Sequence, residues 1–371
     1  MEDDKKSLYN QIVDYLINMI ESKEILPGER LPTEVELMER FSVSRITAKR
    51  ALEELKNKGL IYRKKGQGSF LGNTSHIDNT KRPKIVSMII PYENSTGRFI
   101  DYIRGAGDYL YSKGYFLSIN CTDGDENKER EFLLNISRGG VSGIIYYPTN
   151  KIHNFDILSM FYMNQYPIVL MDKYLDSLAL SCSISDNFDG GYKAAKHLVE
   201  LGHKNIAFVS SVNIERVASV RDRFLGYCKA LKDSGMEIKS EFILSEFAKN
   251  NAGNLNNADM REVIIEDLKE LLEYGVTAIV SENDYIAVDI IKALEAINVK
   301  VSNDISLIGF DNISILEQMD ISLTTIEQDF YEIGKKAAKI VVDNIEGITV
   351  NQVKEITPIK LIARNSTKNI K

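Results

Sequence analysis

The chain has 371 residues, 44% of them hydrophobic and 27% charged, with a formal net charge of −7 and three cysteines. These values predict two or three ordinary globular domains and argue against a disordered or fibrous protein. The absence of a long apolar run argues against a membrane protein, the acidic start argues against a signal peptide, and Cys121, Cys182 and Cys228 predict reduced thiols in a cytoplasmic protein.

The segment from Leu31 to Phe41 predicts a short, well-capped helix. Thr33 can cap it, and Glu36 can reach back to complete a capping box. The apolar face of this helix is predicted to be Val35, Leu37, Met38 and Phe41.

Ser44 can cap a second helix that begins with Arg45. The pattern predicts that Arg45, Thr47, Lys49 and Arg50 are exposed. It also predicts that the inward face is formed by Ile46, Ala48, Ala51, Leu52 and Leu55. An exposed, basic second helix is typical of a helix-turn-helix whose recognition helix enters the major groove of DNA.

A basic hairpin is predicted after Gly59, where Arg63-Lys64-Lys65 precedes Gly66-Gln67-Gly68. From Ser42 to Gly72 there are eight cations and two anions, a net charge of +6 in an acidic chain. Such a segment favours binding to the phosphates of a nucleic acid. A solvated helix and hairpin with incidental lysines is the alternative, and the combination of capped helices with a glycine-flanked basic wing argues against it.

Several motifs of this region are those of a known family: Leu26-Pro27-Gly28, Leu31-Pro32-Thr33-Glu34, Val43-Ser44-Arg45-x-Thr47, Gly59-Leu60-Ile61 and Gly66-x-Gly68-Ser69-Phe70. The segment resembles the winged-helix head of GntR-type transcription regulators. That resemblance implies that operator DNA is contacted by Thr33, Glu34, Ser44, Arg45, Thr47, Lys49, Arg50, Lys64, Lys65, Gly66, Gln67 and Gly68, with Lys65 to Gly68 at the minor groove.

Residues 73–83 are polar and lack periodicity, which predicts a linker between a head at 1–72 and a body at 84–371. In the body, short apolar strands alternate with amphipathic helices from Ile85 to Met171, and the same alternation begins again at Phe188. The pattern predicts an α/β fold of two Rossmann-like subdomains in series, with a ligand cleft at the strand ends.

Body motifs include His197-Leu198-x-x-Leu201-Gly202-His203, Arg223-x-x-Gly226-Tyr227, Asn283-Asp284 and Ile308-Gly309-Phe310-Asp311-Asn312. They resemble the effector-binding domain of the LacI/GalR family, which is similar to periplasmic sugar-binding proteins. The resemblance implies three chain crossings between subdomains and places a helix such as Phe330–Ile345 in the first subdomain. The LacI-type hinge helix and a leucine heptad after Arg364 are absent from the sequence.

The LacI resemblance also implies the residues of a sugar pocket. Arg223 and Asp284 occupy the family's ligand-gripping positions. The other candidates are Tyr92, Phe99, Asp172, Lys173, Arg221, Asn283, Tyr285 and Gln328. Alternative roles are an interdomain ion pair for Arg223, a helix cap for Asp284 and a core position for Phe99. Asp311 is expected at the subdomain interface rather than on the ligand.

An enzyme is not expected, because the four histidines have no metal-ligand spacing and no phosphate-binding loop of Walker type occurs. No cofactor or metal is expected. A GntR-type head on a LacI-type body resembles the L-arabinose repressors of Gram-positive bacteria. We therefore expect a homodimeric repressor that a sugar, led by L-arabinose, releases from operator DNA. The alternative effector is a phosphosugar or nucleoside, which could act as a corepressor.

Overall fold

The computed structural model describes residues 8–57, 59–64, 67–72, 83–91, 98–136, 140–149, 154–247, 257–314, 316, 321–348 and 351–371. The chain divides into two compact units, Met1–Arg82 and Pro83–Lys371. Except for Pro83, the predicted linker lies outside the described residues.

The first unit consists of three helices and a hairpin. Helices α1, α2 and α3 span Leu8–Glu21, Glu34–Phe41 and Arg45–Asn57, and strand β1 (Ile61–Lys64) pairs antiparallel with β2 (Gly68–Leu71). Apolar faces of these elements meet in one core that includes Ile12, Leu16, Leu37, Ala48, Leu52, Leu55 and Ile61. The predicted helix pair and wing are therefore present.

Local capping chemistry sets the helix starts. The Thr33 backbone N–H donates to the Glu36 carboxylate at 2.6 Å, and the Glu36 N–H donates to the Thr33 hydroxyl at 3.2 Å, which is the predicted capping box. The Thr47 N–H donates to the Ser44 hydroxyl at 3.3 Å. Two predicted inward positions are wrong, because Val35 is 57% and Ile46 80% exposed.

The second unit contains two parallel-sheet subdomains. The N-subdomain sheet has the order β13-β7-β6-β5-β3-β4, with every described pairing parallel. Its strands in chain order are β3 Lys84–Ile90, β4 Tyr115–Cys121, β5 Gly143–Tyr146, β6 Ile168–Met171, β7 Ser181–Ser185 and β13 Lys354–Thr357. Helices α4 (Arg98–Ser112) and α11 (Phe330–Ile345) cover one face, and α5 (Glu126–Ile136) and α6 (Phe155–Met163) cover the other.

The C-subdomain repeats this architecture. Its sheet has the order β14-β12-β11-β10-β8-β9, parallel except for β14. Its strands are β8 Ile206–Val209, β9 Ile243–Leu244, β10 Ala278–Ser281, β11 Ser306–Asp311, β12 Thr324–Glu327 and β14 Lys360–Ile362. Helices α7 (Asn187–Glu200) and α8 (Ala218–Asp233) pack on one face, and α9 (Asn257–Glu273) and α10 (Asp284–Ala296) pack on the other.

The chain passes between the subdomains three times, as predicted. The passages lie at Asp186, at Gln328–Asp329 and at Pro358, each between an element of one subdomain and an element of the other. Helix α11 packs in the N-subdomain core, where the resemblance had placed it. The carboxyl ends of β6 and β11 carry Asp172 and Asp311, two acidic residues of the cleft described below.

Several structured segments have no counterpart among the predicted elements: α1, β7, β9, α9, β12 and the C-terminal strands β13 and β14. Strand β7 reads Ser-Cys-Ser-Ile-Ser yet is buried throughout. Two of its serines are hydrogen-bonded: the Ser183 hydroxyl donates to the Ile333 carbonyl at 2.9 Å, and the Ser181 hydroxyl accepts from the Val353 N–H at 3.1 Å. An apolarity pattern cannot reveal such a strand.

Candidate functional site

The first unit presents a charged surface at the starts of α2 and α3. Glu34 lies between two guanidinium groups, with Arg45 Nε at 3.1 Å and Arg63 Nη2 at 3.4 Å from its carboxylate. The pairing holds the start of α3 beside the base of the wing. Arg45 nevertheless remains 76% exposed along its side chain, so it is free to meet another charged or polar surface.

Most of the predicted DNA-binding side chains lie on the exposed surface of this unit. Lys49, Arg50, Lys64 and Gln67 are exposed, and Thr47 is half-buried beneath Ser44. The Arg50 guanidinium lies 5.0 Å from the centre of the Tyr9 ring, which restricts its motion. Lys65 and Gly66 lie outside the described residues.

Two cations of this surface were missed by the sequence reasoning about DNA contacts. Arg63 is the second partner of Glu34. Arg30 forms a β-bridge with Phe70, and its side chain lies directly over Gly68, whose φ is +107°. The preceding loop therefore adds a basic side chain to the wing, a contact that depends on tertiary pairing rather than on a local motif.

The second candidate site lies in the cleft of the second unit, and Asp172 anchors its N-subdomain side. The Tyr102 hydroxyl donates to Asp172 Oδ1 at 2.6 Å, and the Tyr147 hydroxyl also bonds to this carboxylate. Asp172 follows β6 directly and has a φ of +72°. The left-handed backbone turns the carboxylate off the strand end, where both tyrosines reach it.

Arg223 of α8 is the centre of the C-subdomain side. Its Nε donates to Asn187 at 2.9 Å, its Nη1 donates to the Glu282 carbonyl, and its guanidinium plane lies 3.7 Å from the centre of the Phe310 ring. A stacked and hydrogen-bonded arginine is held in one orientation. The remaining amino group, Nη2, lies 3.6 Å from Asp311.

Asp311 joins the two sides of the cleft. Its carboxylate receives Arg98 Nη1 of the N-subdomain at 3.3 Å, and it also accepts a hydrogen bond from Gln328 at a chain crossing. Burial raises the pKa of Asp311, while the guanidinium groups of Arg223 and Arg98 oppose the rise. The sequence predicted an interface position for Asp311, and the structure confirms it. Asp311 also lies at the centre of a polar cluster that it forms with Arg98, Arg223 and Gln328.

Arg98 is a residue that the sequence reasoning missed. Its Nε is buried without a hydrogen-bond partner among the described residues. A buried donor of this kind costs free energy unless something accepts from it, so it is available for a ligand oxygen. The first residue of α4 follows residues 92–97, which lie outside the described part of the chain together with the predicted ligand residue Tyr92.

Asp284 requires a correction, because its carboxylate is occupied by the protein. One oxygen accepts from the Thr325 hydroxyl at 2.6 Å and the other from the Ile313 N–H at 3.0 Å, and the residue is fully buried. Burial, and next the nearby charge of Asp311, raise the pKa of Asp284 to about 7. Asp284 therefore supports the strand ends beneath the cleft instead of facing a ligand.

Three more predicted pocket residues also have structural roles. The Asn283 side chain caps α10 by accepting from the Ile286 N–H at 3.0 Å. Tyr285 packs against the apolar core of the C-subdomain. Phe99 is 2% exposed and stacks edge-on against Tyr147 at 5.2 Å, so the core alternative holds for it.

Arg221 and Lys173 line a cavity of about 270 Å³ at the mouth of the cleft. Arg221 pairs with Asp176 at 2.8 Å and donates to the Tyr174 hydroxyl at 3.2 Å, so it bridges the subdomains. Lys173 donates to the Pro148 carbonyl at 3.1 Å, and burial lowers its pKa to about 8. Of the predicted pocket residues, the structure thus gathers Asp172, Arg223 and Gln328 with Arg98 and Asp311, and leaves Lys173 at the edge of this group.

Within the described ranges, no group of three histidine, cysteine or acidic side chains could hold a metal ion. No helix in that part of the chain is both long and apolar enough to span a membrane.

Comparisons with known proteins match both units. Residues 8–71 match the family model of bacterial regulatory proteins, gntR family, and residues 195–367 match a periplasmic binding protein-like domain. The chain is 30% identical over 370 residues to an arabinose metabolism transcriptional repressor of Geobacillus stearothermophilus, covering 98% of each chain. It is 28% identical to the HTH-type transcriptional repressor PurR of Photobacterium profundum, over 77% of this chain and 82% of that one.

A solved structure is similar to the second unit. It is a LacI family transcriptional regulator from Enterococcus faecium with bound ribose, 26% identical, with a TM-score of 0.63 over 78% of this chain and 100% of that one.

Proposed function

This chain belongs to the family of transcriptional repressors that join a GntR-type head to a LacI-type body, and on that premise we propose that its effector is a neutral sugar, L-arabinose first of all. As a member of that family it is a sugar-responsive repressor of transcription and not an enzyme. The relative from Geobacillus stearothermophilus, which carries arabinose metabolism in its name, supports the choice of L-arabinose. We further propose that it acts in the cytoplasm as a homodimer.

The observation that carries the effector proposal is the position of Asp311, whose carboxylate contacts Arg98 across the cleft and Arg223 on its own side of it. Vicinal hydroxyl groups can donate to the carboxylate and accept from both guanidinium groups, so one sugar replaces contacts that join the subdomains. A sugar that fits the closed cleft better than the open one shifts the body toward closure by its differential affinity. Linked heads then lose their operator spacing.

Charge balance in the cleft favours a neutral ligand over a phosphorylated one. Among its described residues, Arg98, Lys173 and Arg223 face Asp172, Asp311 and the nearby Glu282. The cations are therefore already matched by carboxylates. A phosphate dianion would have to be buried beside these carboxylates, at an electrostatic cost that a sugar hydroxyl does not carry.

Two variants test head and body separately. Arg45→Ala should weaken binding to a labelled duplex from upstream of the protein's own gene by about 1–3 kcal/mol per site, because it removes a base contact, and should leave L-arabinose binding unchanged. Arg223→Ala should do the reverse and give a repressor that sugar no longer releases. Fluorescence anisotropy of the duplex and calorimetry with pentoses, hexoses, phosphosugars and nucleosides measure both quantities.

The outcomes separate the alternatives. Release by L-arabinose supports the proposal, whereas release only by a phosphosugar, or tighter operator binding with a nucleoside, contradicts it. Loss of sugar binding in Arg45→Ala would contradict the division of roles between head and body.

A further inference from the structure

Ile46 is an aliphatic side chain that the described part of the head leaves uncovered. It is the second residue of α3, and it is 80% exposed, while the neighbouring Ala48, Ala51 and Leu52 are buried in the core of the unit. A second aliphatic residue, Val35 of α2, is 57% exposed. Both adjoin in sequence the ion pair of Glu34 with Arg45, so the two exposed aliphatic residues belong to the region where α2 and α3 meet.

The surroundings of Ile46 are cationic. Lys49 and Arg50 follow it by three and four residues and therefore share its side of the helix, and Arg45 precedes it with 76% of its side chain exposed. Lys49 is 54% exposed along its side chain. An apolar protein partner would have to cover these charges, which is unfavourable. A polyanion that also offers an apolar group fits the surface better.

The major groove of DNA provides that combination. Its phosphates are anionic, and its base edges carry one apolar substituent, the 5-methyl group of thymine. We propose that Ile46 reads a thymine in each operator half-site by packing on its 5-methyl group, beside the base that Arg45 contacts. This inference rests on the DNA-binding function proposed above.

Replacement of thymine by uracil tests the contact, because it removes the methyl group and leaves every hydrogen-bonding atom of the base. The probe is a duplex that the wild-type protein selects from a random-sequence pool, with each thymine changed in turn to uracil. At the contacted thymine, uracil in one half-site should weaken wild-type binding by about fourfold, which is the effect of losing one buried methyl group. Uracil in both half-sites should weaken it by about fifteenfold, because the two independent losses add in free energy.

The protein variants complete a double-mutant cycle. Ile46→Ala should bind the thymine duplex more weakly and should show no response to uracil at that position. Ile46→Val, which keeps the branched methyl groups, should retain most of the response. Leu26→Ala removes another exposed aliphatic side chain, 51% exposed on the loop between α1 and α2, and should leave the uracil profile unchanged. Ile46→Ala should fold normally, because the side chain is exposed and alanine favours a helix.

Three results would overturn the inference. If Ile46→Ala kept the wild-type response to uracil at every position, another side chain would contact the methyl groups. If uracil changed wild-type binding nowhere, no methyl group would be read. Failure of the wild type to select any duplex would refute the proposed function as well, so this outcome differs from the other two.

Discussion

Two aspartates in left-handed backbone form the acidic part of the cleft. Asp172 and Asp311 have φ values of +72° and +117°, which are unfavourable for residues other than glycine. Asp172 directly follows β6, and Asp311 is the last residue of β11. At both strand ends the chain turns toward the cleft. Such strain persists only when the surroundings enforce it, and here Tyr102, Arg98 and Arg223 hold the two carboxylates. The backbone thus places acceptors at positions that an unstrained strand end would not reach.

Asp284 beneath the cleft predicts a dependence of stability on pH. Its pKa is raised from 3.8 to about 7 in the folded chain, so between these values the folded state holds a proton that the unfolded state has lost. This contribution to stability is complete below about pH 4 and disappears as the pH rises through about 7. Relative to Asp284→Asn, the wild type should lose about 1.4 kcal/mol of unfolding free energy per pH unit between about pH 5 and 6, and about half of that per unit near pH 7.

Urea unfolding followed by circular dichroism across this pH range measures the difference. Parallel curves for the two proteins would show that Asp284 does not take up a proton on folding. Sugar binding at pH 5 should be similar in both, because Asp284 does not face the cleft.

Pairs of helices cross at glycines in both subdomains. In the C-subdomain, Gly191 of α7 lies against the backbone of Arg223, and Gly226 of α8 lies against the backbone of Phe188. In the N-subdomain, Gly105 of α4 and Gly334 of α11 are related in the same way to Tyr331 and Tyr102. Because the helices touch through their backbones, the position of α8, and with it that of Arg223, is fixed by the absence of side chains at the crossing.

Gly226→Ala should destabilise the protein by about 3 kcal/mol, because the new methyl group would overlap the Phe188 carbonyl and push α8 away from α7. Sugar affinity should fall with it, since Arg223 moves. Gly107→Ala is the matched control in helix α4, where a methyl group would meet only the Leu117 side chain at 3.8 Å. That control should gain about 0.5–1 kcal/mol from helix propensity. Equal stability of the two variants in thermal unfolding would contradict this account.

At the scale of the whole molecule, the two subdomains of the body contact each other at two places besides the chain crossings. Asp311 joins the subdomains inside the cleft, and Arg221 joins them at its mouth through Asp176 and Tyr174. In the outer pair 63% of the Asp176 side chain is exposed, so this pair contributes little by itself, whereas in the inner pair the Asp311 and Arg98 side chains are only 1% and 22% exposed. A ligand that replaces the inner contacts therefore has the larger influence on the equilibrium between open and closed forms.

The proposed homodimer can be tested at one sheet edge. Strand β4 is an edge strand, and it exposes Phe116 (65%) and Ile119 (44%), while the adjacent helix α4 exposes Ile100 (59%). Apolar groups on an edge strand are a common site of association. Phe116→Asp should produce monomers with much weaker operator binding and unchanged sugar binding, as measured by analytical ultracentrifugation and anisotropy.

Met163→Asp, at the end of α6 and 80% exposed, is the control and should remain dimeric. If both variants or neither became monomeric, a dimer face at β4 would be contradicted.

Local rules determined much of this protein from its sequence. The capping box of Thr33 with Glu36, the cap at Ser44 and the alternation of strands and helices depend on neighbours within a few residues, and each was predicted correctly. The family resemblance added the three crossings and the place of α11, because those features follow the order of elements along the chain.

Contacts distant in sequence were decided only by the tertiary structure. Ile46 and Asp284 were misassigned because the direction of a side chain depends on which neighbouring elements cover it. Arg98 and Asp311 are 213 positions apart, and no local motif indicates that they meet. Strand β7 was missed because it is rich in serine, and the acceptor that the Ser183 hydroxyl finds on α11 is distant in sequence. Local chemistry thus specified many of the elements and their order, while burial and pairing across the fold selected the side chains that face the cleft.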